Sequence, residues 1–170
     1  MALATIVLMG SEGQAVTERA SVHPVSRQCL QEAAQSHDVS PHLLDAIIRV
    51  ENPCWDPWAI SINRKGKSLR QAVRSRKQAE QVATHLWNAG VNFDVGIGQI
   101  NTINMERYKI HPIVLLDPCT NVRYAAQILR ESIDRHGYNW TAIERYNGIN
   151  PEYPWKVHRA LKELKEATRR

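Results

Sequence analysis

No stretch of this chain is apolar for long enough to cross a bilayer. Its most hydrophobic run, Ala2 to Met9, falls far short of the ~20 residues that a spanning helix needs. There is no H-E-x-x-H sequence and no zinc-ligand spacing, and the seven histidines are scattered. They read as surface or core residues, and no metal site is expected. No helix-turn-helix, RNA-binding or zinc signature accompanies the basic residues, so no nucleic-acid partner is expected. Internal repeats and low-complexity tracts are lacking, and strand signals are few. Only three cysteines are present, Cys29, Cys54 and Cys119. An exported protein would pair two of them and leave one over, and sequence order alone does not say which two.

What is present suits one globular domain. The chain has 170 residues, 43% of them apolar, enough to bury a real core. The net charge of +5 favours acidic partners, whether nucleic acid, anionic lipid or an acidic wall polymer, without choosing among them. The densest basic stretch, Arg64 to Lys77, reads as a solvated face. At the N-terminus, the apolar run is followed by Gly13 and Ala15 in a small-x-small pattern. Residues 1–15 therefore read as an export signal without its usual basic start, which a misplaced start codon would explain. Residues 16–25 are expected to form a flexible segment.

Beyond them the pattern is helical. A first helix is expected over Ser26 to Ser36. In "HDVSPHLLDAIIRVEN", Ser40 suits an N-cap and Pro41 the first helical position, while Pro53 stops the helix. A small hairpin is expected near Ile60 to Asn63. Helical periodicity then recurs from Ser68 to Ala89, with Gly90 as its stop. "DPCTNVRYAAQILRESIDRHG" is the clearest amphipathic helix, with Thr120 or Asn121 as its cap. "WTAIERYNG" gives a short helix, and residues 159–170 a basic C-terminal helix or tail. The expected fold is mainly α with a small β element.

Glu51 stands out. On a helix it shares one face with Leu44, Ile47 and Ile48. A glutamate meant for solvent would take the opposite face, with Asp45 and Arg49. Cleavage of a glycosidic bond needs a proton on the leaving oxygen. An ordinary glutamate is ionised at neutral pH, and burial in an apolar stripe would raise its pKa and retain that proton. A structural glutamate, hydrogen-bonded at a helix end, fits the same stripe.

Two further patches join it: "DVGIGQIN" at Asp94 to Asn101 and "ERYNG" at Glu144 to Gly148. In order and content the three resemble the lytic transglycosylases of the lysozyme-like superfamily. That family carries a catalytic glutamate at a helix end, then a Gly-Leu-Met-Gln-like motif, then a Tyr-Asn motif. The resemblance covers roughly Cys29 to Val157 and implies a lysozyme-like α+β domain over residues 26–158, with a substrate cleft. It is closest to small members associated with conjugation, type IV secretion, type III secretion or pilus machinery. It implies Glu51 as acid and then base, no cofactor, and glycan strands of peptidoglycan as substrate, cut to leave a 1,6-anhydromuramyl end.

Other roles follow from the same resemblance. Tyr146 would orient the glutamate, beside Asn147. Gln99 and Asn101 would bind sugar or fix the cleft wall, and Gly96 and Gly98 would let backbone approach the glycan. Asp94 is a candidate assisting carboxylate or a loop cap. A Cys29–Cys119 bridge is implied, with Cys54 free, in a monomeric periplasmic protein. The chain departs from the family pattern in two places. Asn52-Pro53 follows the glutamate where Ser-Gly is usual, and Gly98 replaces the methionine, removing an apolar contact near the substrate. Two rival readings remain: a hydrolytic muramidase, and a non-catalytic wall-binding or assembly subunit on the same scaffold. A nucleic-acid-binding protein of a transfer operon is a weaker third.

Overall fold

A computed structural model describes residues 27–64, 66–148 and 150–168. The expected export signal and the segment after it lie outside the described residues. Helix α1 (Arg27–Ser36) turns its Cys29, Leu30, Ala33 and Ala34 inward. Helix α2 (Pro41–Glu51) starts as its sequence demands. Ser40 Oγ accepts from the Leu43 amide at 3.4 Å, and Pro41 occupies the first turn, where its missing N–H costs nothing. Leu44, Ile47 and Ile48 are fully buried.

A hairpin follows, β1 (Ile60–Arg64) and β2 (Lys67–Arg70), with Gly66 supplying a positive φ of 73° at the turn. With β3 (Phe93–Val95) and β4 (Ile100–Asn101) it forms an antiparallel sheet in the order β2-β1-β3-β4. The helix expected from Ser68 is therefore a correction. Its first residues pair as a strand, Leu69 opposite Ile62, and helix α3 begins only at Arg76 and runs to Asn88. Leu69, which fitted the helical period, is 52% exposed on an edge strand. Local periodicity lost there to cross-strand pairing, which needs no buried face on β2. Ser75 caps α3 by accepting from the Gln78 amide.

Helix α4 (Thr102–Tyr108) and a 3₁₀ turn at Pro112–Leu116 lead into α5 (Pro118–His136). The N-cap of α5 is Asp117, whose carboxylate accepts from the Thr120 amide at 2.8 Å. Thr120 and Asn121, expected as caps, lie inside the helix instead. Helix α5 is the central strut: α1 and α6 (Trp140–Tyr146) pack on it, and Val122, Ala125, Ala126, Leu129 and Ile133 are its buried stripe. Helix α7 (Tyr153–Thr168) packs chiefly on α2. The division expected at residue 158 falls inside this continuous helix, whose Val157 and Ala160 both belong to the core. The Cys29–Cys119 disulfide ties the start of α1 to the start of α5, and Cys54 is free and exposed. Among the described residues no helix is long and apolar enough to cross a membrane. The architecture is mainly helical with one small sheet, as expected.

Candidate active site

Glu51 is the last residue of α2, and the stripe behind it is dry. Its Oε1 accepts from the Tyr153 hydroxyl at 2.6 Å and from Asn147 Nδ2 at 3.0 Å. Burial pushes the Glu51 pKa from 4.5 up to about 7. The two hydrogen bonds and Lys156 oppose that rise, and the nearby Asp94 carboxylate adds to it. Burial and the Glu51 charge hold the Tyr153 and Tyr146 phenols well above the usual tyrosine range, so both remain protonated donors. Both donors to Glu51 converge on Oε1, and among the described residues none reaches Oε2.

Tyr153 was not singled out from the sequence. Tyr146, which the resemblance cast as the orienting hydroxyl, donates to the Gly98 carbonyl at 3.4 Å instead. The two rings stack, with centroids 6.4 Å apart and planes 16° apart. Tyr153 was hidden because it stands 102 residues from Glu51 and opens a helix whose packing on α2 only the fold reveals. Its one sequence trace is its place at the head of the α7 apolar stripe, with Val157 and Ala160.

The glycine motif forms a tight loop between β3 and β4, clamped to α5 by Asn121. This fully buried side chain accepts from the Gly98 amide at 2.7 Å and donates to the Val95 and Leu115 carbonyls at 3.0 and 2.9 Å. A Cβ at Gly96 would meet Asn121 and the Leu115 carbonyl, at a φ of +78°. A Cβ at Gly98 would press on Ala125 and Asn121. Both glycines therefore admit α5 closely; the close approach is to the protein interior, where the sequence suggested the glycan. By the same geometry, a Cβ at position 98 would start toward α5, where Ala125 and Asn121 leave it little room.

Gln99 fixes the wall of the cleft. Its Nε2 donates to the Gly96 carbonyl at 2.7 Å, and its Oε1 accepts from the Ser61 hydroxyl at 2.7 Å. Asn101 caps α4 through the Ile103 amide and donates to both Asp94 Oδ1 and Asn92 Oδ1 at 2.7 Å. Asn63 donates to Asp94 Oδ2 at 2.8 Å. Burial raises the Asp94 pKa, and these two amide donors oppose the rise. After Glu51, Asn52 closes the helix with its backbone N–H on Ile48. Its buried side chain brackets the next turn through both the N–H and the carbonyl of Asp56. The Asn52-Pro53 departure thus builds a firm exit from α2.

These groups open into one cleft of about 720 Å³ lined by Glu51, Asp94, Gln99, Asn101, Tyr146 and Asn147, among others. That volume suits a bound oligosaccharide segment. No tryptophan lines it; Trp55 is buried, whereas Trp140 and Trp155 are exposed elsewhere. Among the described residues no group of three or more His, Cys, Asp or Glu is placed to hold a metal ion.

Comparison with known proteins gives this arrangement its relatives. Type IV secretion system protein virB1 of Brucella abortus is 34% identical over 97 residues, covering 57% of this chain and 40% of that protein. Protein virB1 of Agrobacterium fabrum is 33% identical over 119 residues, 70% of this chain and 45% of its own length. Protein IpgF of Shigella flexneri is 29% identical over 122 residues, 69% of this chain and 78% of its own. The chain thus spans less than half the length of the two virB1 proteins. The model of the transglycosylase SLT domain matches residues 28–166. That span runs from α1 into the last turns of α7 and takes in the whole cleft, and the chain belongs to the transglycosylase SLT domain family.

Proposed function

We propose that this chain is a peptidoglycan lytic transglycosylase, and that Glu51 is its acid and base. One observation carries the reading: a carboxyl group with a pKa near 7 sits at the wall of a polar, sugar-sized cleft. Protonated Glu51 donates its proton to the oxygen linking N-acetylmuramic acid to N-acetylglucosamine, and the bond from that oxygen to the muramyl C1 breaks. The positive charge developing at C1 is met by the substrate's own N-acetyl group. The Glu51 carboxylate then takes the proton of the muramyl 6-hydroxyl, whose oxygen closes on C1 as a 1,6-anhydro ring. A pKa near neutrality suits both halves, since the group must give a proton and take one back. Tyr153 and Asn147 hold one oxygen of Glu51 in place through both steps. Asp94, fixed by Asn63 and Asn101, serves as the assisting carboxylate, adding negative potential beside the reacting carbon.

The second reading, a hydrolytic muramidase, draws on that same half-buried Asp94, because hydrolysis commonly uses a second carboxylate to handle water. Two points argue against a purely wall-binding subunit: a Cβ at Gly98 would face α5, Asn52 brackets the turn after Glu51, and neither residue lines the cleft. The disulfide fits an oxidising compartment, and the likeness to a type IV secretion system protein points to local wall opening for an envelope-spanning secretion or conjugation machine. We place the protein in the periplasm on these grounds.

Mass spectrometry of fragments released from purified sacculi tests the activity. Wild-type protein should release anhydromuropeptides, and Glu51→Gln should lower the rate by at least about a hundredfold while keeping the fold. Release of reducing ends without anhydro product would favour the muramidase, and binding to sacculi without turnover the wall-binding subunit.

A further inference from the structure

A second concavity shares no lining residue with the cleft. It holds about 360 Å³, within the range of ligand pockets, and four helices meet around it. Leu43 of α2, Ile133 of α5, Ile143 of α6 and Leu161 of α7 give it an aliphatic floor. Tyr138 and Trp140 stand at its side, 62% and 47% exposed. The aromatic surface continues beyond it. The Trp140 ring meets His158 at 5.7 Å, and His158 meets Trp155 at 6.2 Å, edge to face in both cases. Trp155 is 72% exposed, so the groove runs out into a strip of aromatic rings along α7. Large apolar side chains left in water as one contiguous patch mark an interaction surface. The charge here is one-sided. No carboxylate lines the groove, whereas Lys165 does, beside His42. Two carboxylates next in sequence to lining residues are answered within the protein, Asp134 by Arg130 at 2.6 Å and Glu166 by Lys162 at 4.0 Å.

We propose that this groove docks a segment of another protein, whose large apolar side chain enters against Leu43, Ile143 and Trp140 while its carboxylates meet Lys165. Trp and Tyr are the side chains that carry much of the binding energy at protein interfaces. A charge pair at the rim chooses the partner more than it adds affinity. The continuous strip from the groove to Trp155 matches several residues of polypeptide better than a single small molecule. A sugar would leave hydroxyls unpaired against the aliphatic floor. A second copy of this chain would bring a net charge of the same sign, +5, to a surface that already carries cations. Because the groove and the cleft have no residue in common, a partner seated here leaves the cleft open. The chain can thus be held at one place while its cleft works, and docking does not depend on what the cleft does.

The probe is a library of random peptides displayed on phage and panned against the wild-type chain. Enriched sequences are synthesised, and their binding is measured by fluorescence polarisation. They should share a large apolar residue with Asp or Glu close to it and compete with one another. Trp140→Ala should weaken them by about tenfold or more, and Lys165→Glu by about two- to fivefold at low salt. Replacing the acidic residues of a peptide by Lys should restore its affinity for the Lys165→Glu chain. Both variants should keep the wild-type melting temperature and the wild-type release of fragments from sacculi. Where Trp140→Ala does not fold, the charge exchange at Lys165 decides. Peptides without acidic residues, or peptides that neither substitution weakens, overturn the proposal, as does an empty panning. Self-association in sedimentation that Trp140→Ala abolishes would assign the groove to a second copy and overturn it too. Loss of sacculus release in folded Trp140→Ala would give the groove to the glycan, with the same result. Peptide binding that behaves as expected, alongside wild-type protein that releases no anhydro product, would sink the enzymatic reading alone.

Discussion

Glu51 is costly to the fold in a way that its proposed chemistry requires. Its pKa is about 7 in the folded chain against an ordinary 4.5. Below pH 4.5 it is protonated whether the chain is folded or not, and it imposes no penalty. As pH rises from 4.5 to 7 the unfolded chain gives up the proton first, so stability falls across that window and levels off above it. The full penalty is about 3 kcal/mol by linkage. Glu51→Gln should therefore unfold at higher denaturant concentration than wild type at pH 8 and lose most of that advantage at pH 4; equal midpoints at pH 8 would contradict the buried carboxyl. Tyr153 bears on the same group from the other side. Its hydroxyl stabilises the anion, so Tyr153→Phe should raise the Glu51 pKa further. The alkaline limb of the pH–rate profile, expected near pH 7, should move upward by a measurable fraction of a unit while the maximal rate falls. A profile that drops in height without moving would show that the contact has no hold on the proton. The same residue scale shows what the sequence conveyed. Glu51 was legible because an apolar stripe at helical spacing contradicts a charge, and Tyr153 was not, because a tyrosine at a helix start carries no such contradiction.

At the scale of elements, the loop between β3 and β4 depends on one amide side chain of α5. Asn121 satisfies one backbone N–H and two backbone carbonyls, all inside the protein. Asn121→Ala would leave them buried and unpaired, at a cost of about 2–4 kcal/mol, visible as a lower melting temperature. Gly96→Ala should be at least as damaging, since its Cβ would collide with Asn121 and its φ suits glycine. If Asn121→Ala melts like wild type, the loop is held by something else. The cap of α2 and the glycine that follows α3 are local and were readable as such. The Asn121 clamp joins positions 23 to 26 residues apart. In sequence it looked like a helix cap, because asparagine near a helix start usually is one. The early part of the Ser68–Ala89 segment misled for the opposite reason: its apolar spacing was helical, but its backbone found partners in β1.

For the molecule as a whole, α1 and α5 are joined by a covalent bond that closes a loop of 90 residues. In the chain-entropy model such a closure stabilises by about 4–5 kcal/mol. Reduction, or Cys29→Ser, should lower Tm by about 10 °C or more without moving the alkaline limb of the rate profile, because neither cysteine lines the cleft. An unchanged Tm would mean that the packing of α1 on α5 suffices alone.

The sequence by itself determined the helical class, several helix ends and the carboxyl group set against an apolar stripe, because capping and 3.6-residue periodicity act between residues a few positions apart. Tertiary structure alone decided which tyrosine holds Glu51, that the two glycines face α5, and that Asp94 is gripped by Asn63 and Asn101. Each of those depends on side chains from distant segments meeting at hydrogen-bond range, a relation that local composition and spacing do not encode.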